Sequence, residues 1–117
     1  MAFTAYPQSV VSTHSSLAGG SAATGDPLTP ERENCKVQVS AGGSQTFQLW
    51  LECQYDGTNW VTLWTGASTA AGTGSASANV ATSPVVAVVP GRPVRAGIRN
   101  TAGSAGDFIT AVVAWQV

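Results

Sequence analysis

From Cys35 onward, apolar and polar positions alternate along most of the chain. CKVQVS sets Cys35, Val37 and Val39 against Lys36, Gln38 and Ser40, the pattern of a strand with one face buried. The turn AGGS follows, and QTFQLWLECQY continues the alternation through Phe47, Leu49, Leu51, Cys53 and Tyr55. DGTN then separates this run from WVTLW, and Asp-Gly between alternating runs predicts a hairpin. GASTAAGTGSASAN, residues 66–79, reads as a loop of small residues, and PVVAVV at 84–89 as a strand ended by Pro90 and Gly91. PVRAGIRN (93–100) and DFITAVVAWQV (107–117) form a last pair joined by TAGSAG. No segment carries a 3.6-residue apolar stripe long enough for a helix. About six to eight short strands predict an all-β fold, an antiparallel β-sandwich or jelly roll.

Residues 1–34 lack this periodicity and include the turn-rich stretch LAGGSAATGDPLTP. They read as an N-terminal arm or loop with at most one short strand, SVVST at 9–13, ahead of a sandwich domain at 35–117. Two readings stay open for the arm. It is a disordered tail, or an extended segment that orders against a neighbour through Phe3, Tyr6, Val10 and Val11.

Register arithmetic sorts the aromatics of FQLWLECQYDGTNWVTLW. If AGGS closes a hairpin at Ser44, Val39 faces Leu49, Val37 faces Leu51 and Cys35 faces Cys53 on the buried side. Cys35 and Cys53 are then a core thiol pair, with a disulfide as the alternative. A three-residue loop at 56–58, with Gly57 or a neighbour left-handed, sets Cys53 opposite Val61 and Leu51 opposite Leu63. The other face then pairs Trp50 with Trp64, and Gln54 with Trp60. Such a second aromatic surface needs a cover. A subunit or partner interface is one reading, and the arm or the 66–79 loop folding over it is another. A sugar-stacking platform flanked by Glu52, Gln54, Asp56 and Asn59 is the third.

Composition sharpens this. Only 9% of the 117 residues are charged, against about 25% in typical domains, so much of the exterior is expected to meet other protein. A net charge of −1 gives no basic footprint for nucleic acid. No apolar run is long enough to span a membrane, and no basic region precedes the apolar residues near Met1, so synthesis in a cytoplasm is expected. The six carboxylates are scattered and the single histidine, His14, lies in the arm, so neither a catalytic constellation, a metal site nor a cofactor site is expected. Arg95 and Arg99 alternate with apolar Val94, Ala96 and Ile98, and so project together on an outer face, able to dock on acidic groups of a partner.

LECQYDGTNWVTLW, followed after a small-residue loop by PVRAGIRNTAGSAGDFITAVVAW, resembles small head or tail proteins of tailed bacteriophages. The resemblance spans residues 36–117 and lies in turn and strand chemistry. It implies a non-enzymatic β-sandwich virion protein made in the host bacterium's cytoplasm. The expected function is a capsid decoration or cement protein that oligomerises, a trimer being favoured, and binds the major capsid protein or another virion protein. The alternative is a glycan-binding or adaptor module of a tail, fibre or spike. Trp50, Trp60, Trp64, Arg95 and Arg99 are the expected interface residues, taken from the face analysis and not from the resemblance.

Overall fold

The computed structural model describes residues 8–31, 33–66 and 79–116. They form nine strands: β1 (Gln8–Leu17), β2 (Ala22–Thr24), β3 (Cys35–Gly43), β4 (Phe47–Gln54), β5 (Trp60–Thr65), β6 (Asn79–Thr82), β7 (Val86–Ala87), β8 (Val94–Asn100) and β9 (Gly106–Gln116). Sheet I has the order β1-β9-β3-β6, with β7 also pairing β3; sheet II has the order β2-β8-β4-β5. Every pairing is antiparallel. β4 pairs β5 around Asp56–Asn59, β3 pairs β6 and β7, β2 pairs β8, and β1 pairs β9. The chain is thus one long nested hairpin wrapped into two layers, which is the strand order of a jelly roll.

Residues 8–17 and 22–24 belong fully to the sandwich. The segment expected as an arm with at most one short strand supplies β1 to the edge of sheet I and β2 to the edge of sheet II. Its periodicity is hard to read because β1 is built from Ser, Thr and Val, with partly buried Val10 and Leu17 spaced among polar residues. Leu28, 4% exposed, continues the core beyond β2 through a bridge to Val94, its N–H donating to the Val94 carbonyl at 2.8 Å.

Two expected in-sheet pairs are instead crossings between sheets. β3 lies in sheet I and β4 in sheet II, joined by Ser44–Thr46; β8 and β9 divide in the same way. Both edges of β3 are taken, one by β9 and the other by β6 and β7, while β4 lies between β8 and β5. A crossing and a hairpin bury the same odd-numbered residues, so alternation alone does not separate them. Cys35 and Cys53 therefore line the core from opposite sheets rather than as cross-strand neighbours, and both are buried free thiols. Burial pushes the Cys53 thiol above its ordinary pKa, which keeps it protonated and unreactive.

The alternation itself is obeyed closely. β3 and β4 both run buried, half-buried throughout, and Val37, Val39, Phe47, Leu49, Leu51, Val94 and Ile98 are at most 1% exposed. Each such side chain contributes about 1.5–3 kcal/mol on leaving water. At the end where β3 crosses to β4, the Phe47 and Phe108 rings meet edge to face at 5.7 Å and tie the two sheets together.

Candidate functional site

The Asp56–Asn59 turn fixes the register of the aromatic hairpin. The Asp56 carboxylate accepts the backbone N–H groups of Thr58 (2.8 Å) and Asn59 (2.6 Å) and the Asn59 side-chain amide (2.8 Å), which hold its pKa down to about 2. Gly57 takes the left-handed conformation at φ 78°, as the three-residue loop requires. Cys53 then pairs with Val61 and Gln54 with Trp60, as the register arithmetic gives.

Beyond that point the register shifts. Glu52 pairs with Thr62, but Leu51 pairs with Trp64, leaving Leu63 as the extra residue of a β-bulge. Two residues of β5 thus oppose Leu51, and both Leu63 and Trp64 pack against the core. Trp64 is consequently not a partner of Trp50 on the outer face. Thr65 takes that position, and the Trp64 ring instead lies over Gly66, where a Cβ would come within 2.7 Å of its Cη2.

The outer face of sheet II keeps Trp50, Trp60, Arg95 and Arg99. Trp50 pairs with Gly97, and a Cβ at Gly97 would fall 2.0 Å from the indole Cε2, so the ring lies flat on the bare backbone between Arg95 and Arg99. Arg95 stacks on Trp60, its Cζ 3.9 Å from the ring centroid, and donates from Nε to Glu52 Oε1 at 2.7 Å. Arg99 is exposed and donates from Nη1 to the Gly20 carbonyl at 2.8 Å, bracing the β1–β2 connection. Arg95 is thus held rigid against an aromatic and a carboxylate, whereas Arg99 presents its charge to solvent. Arg95→Leu is expected to cost about 1–2 kcal/mol, from the lost stack and ion pair and the uncompensated Glu52. Urea denaturation checks this, and the difference should shrink in roughly 1 M salt.

A second surface has no counterpart in the sequence reading. Sheet I turns Val11, Thr13, Ile109, Ala111, Val113 and Trp115 outward, with Gln38, Ser40 and Val80 on the strands beside them. Val11 is 64% exposed, Val80 70% and Ile109 52%. The signal was present in DFITAVVAWQV, which is apolar at both parities. In a two-layer fold such a strand can bury only one of its faces.

His14 points to the other side of β1. Its Nε2 lies 3.0 Å from Oγ1 of buried Thr110, while the neighbouring Ser12 hydroxyl accepts the Asp26 N–H at 2.8 Å. Desolvation lowers the His14 pKa below its ordinary 6.5, partly offset by the Asp26 charge. The unfolded chain therefore binds the proton more tightly than the folded one. Stability should be full above about pH 6.5 and fall as the pH drops through the lowered value. Thermal melts between about pH 7.5 and 5 should show this slope in the native protein and a flatter one in His14→Gln.

The remaining acids do not converge. Glu52 is paired to Arg95, Asp56 is tied into its turn, and Asp107 accepts the Ser16 N–H at 2.8 Å on another edge. Among the described residues no group of three or more His, Cys, Asp or Glu is placed to hold a metal ion. The open cleft beside Cys35, lined by Glu33, Lys36 and Ala87–Pro90, has mainly apolar walls. Comparison with protein families, curated proteins and solved structures yields no match.

Proposed function

We propose that this protein is a non-enzymatic structural subunit of a tailed-bacteriophage virion, a capsid decoration or cement protein that self-associates and clamps coat subunits. The observation that carries the reading is the outward apolar face of sheet I, with Val11, Val80 and Ile109 each more than half exposed in a chain of only 9% charged residues. A surface of that kind marks a protein interaction site. The opposite face supports the same reading. Trp50 and Trp60 provide rigid aromatic area, Arg95 is pre-ordered by its stack, and Arg99 offers a fork for carboxylates. Many copies, each binding weakly, would reinforce a shell through multivalency. The jelly roll serves viral capsid proteins and lectins alike, so the fold by itself favours neither use.

Cryo-electron microscopy of virions tests this. The expected result is ordered density in many copies on the capsid surface, lost when Trp60 and Arg99 are both replaced by alanine. Absence from the virion overturns the reading.

A second reading rests on Trp50. Its indole lies flat on Gly97 among Gln48, Glu52 and Thr65, an arrangement suited to stacking a sugar ring in a glycan-binding or adaptor module of a tail, fibre or spike. Density confined to the tail, with glycan retention abolished by Trp50→Ala, would favour it over the capsid role.

A further inference from the structure

Among the described residues, the strands of sheet I turn two charges onto its outer face, and their places on it select a partner. Lys36 pairs with Trp115 near one end of the β3–β9 ladder. Asp107 stands at the other end of β9, eight residues from Trp115, about 27 Å along the strand. Between them the strands present Val11, Ile109, Ala111, Val113 and Val80 with uncharged Ser, Thr, Gln and Gly.

Resting on the proposed function, we infer that this face packs on the same face of a second copy of the chain, about a two-fold axis running across the strands. That axis reverses strand direction between the copies. Lys36 of each copy then comes over Asp107 of the other, and the apolar middle rows meet each other. An axis parallel to the strands would instead place like ends together and leave both charges unpaired. Because the surface is isologous, a single patch with a cation at one end and an anion at the other is self-complementary.

The size of the face fits this occupant. Three long strands and the β6–β7 edge, about 4.8 Å apart and about eight residues deep, give a flat footprint of roughly 500 Å². Side chains standing off the sheet raise the accessible area toward the ~800 Å² per partner of a standard interface. Face-to-face sheets pack about 10 Å apart with a small crossing angle, which suits the short Val, Ala and Ser side chains in the middle rows.

Sedimentation velocity and light scattering on the full chain test the pairing. The expected species has the mass of two copies. Ile109→Lys and Val80→Lys, at positions already exposed in one copy, should each weaken association by at least ~100-fold while circular dichroism stays unchanged and the melting temperature loses the rise with protein concentration that the dimer gives. Lys36→Asp and Asp107→Lys should each weaken it, and the double variant should restore it. Asp107→Asn, which keeps an acceptor for the Ser16 N–H, separates loss of charge from loss of that hydrogen bond. A monomer, a trimer, or a dimer indifferent to Ile109→Lys overturns the inference, as does failure of the charge exchange to rescue. The two proposals fail separately. A monomer that still decorates capsids removes the pairing and leaves the coat-clamping role; a dimer absent from virions does the reverse.

Discussion

Phe108→Ala is expected to lower the free energy of unfolding by about 3–5 kcal/mol, seen as a fall in the urea midpoint at nearly unchanged slope. Phe108 is 1% exposed and makes the edge-to-face contact with Phe47 that joins the sheets where β3 crosses to β4. Its cross-strand partner on sheet I is Gly43, and a Cβ there would fall 2.1 Å from the ring's Cδ1. The ring therefore occupies the space that a side chain at position 43 would take. That complementarity supplies an internal control. Gly43→Ala alone should destabilise by about 1–3 kcal/mol, because both rings are buried and have nowhere to move. In the Phe108→Ala background the same methyl enters the vacated space, so the two costs should fail to add by 0.5 kcal/mol or more. Additive costs would mean that the ring and the glycine backbone are not in the contact described.

The buried layer was legible in the sequence because a two-residue period has one cause, the pleat. Val37, Val39, Leu49, Leu51 and Ile98 all face inward as their parity requires. Partnership was legible only where a turn declares itself: Asp56-Gly57 fixed the β4–β5 register through hydrogen bonds local to the loop. The AGGS and TAGSAG connections carry the same turn-forming residues, yet each crosses between sheets. The deciding contacts lie far away in sequence, in the claim of β9 and β6 on the edges of β3. The bulge at Leu63 was hidden for a related reason. WVTLW alternates well enough to be continued unbroken, whereas in the fold Leu51 pairs with Trp64 and both Leu63 and Trp64 pack against the core, which takes the extra residue. Trp50, Trp60, Arg95 and Arg99 stood where face parity put them. The outer face of sheet I was missed because an apolar strand such as DFITAVVAWQV reads as core on both sides until the second layer is shown to cover only one.

The largest polar effect is expected at Asn100. Asn100→Leu should cost about 3 kcal/mol or more, although the replacement is nearly isosteric and apolar in a fully buried site. Asn100 is 0% exposed at the end of β8. Its Nδ2 donates to the carbonyls of Leu17 (2.9 Å) and Ser104 (2.8 Å), and its Oδ1 accepts the Ala102 N–H at 2.9 Å. One side chain thus satisfies backbone groups from the end of β1 and from the crossing between β8 and β9. Leucine would leave those three groups without their partner, each at about 1–3 kcal/mol where water cannot reach. The backbone of Asn100 is also bonded to Gly20 and Ser21, so loosening there reaches the β1–β2 connection. Amide hydrogen exchange should locate the effect, with protection lost first at Ala102 and Gly20 while the Asp56–Asn59 turn stays as protected as before. Asn100→Asp should also destabilise, since a carboxylate cannot donate to the Leu17 and Ser104 carbonyls. Its loss should be smaller at acid pH, where the protonated group regains one donor. A variant that melted uniformly, without this order of exposure, would mean that Asn100 acts only by filling volume.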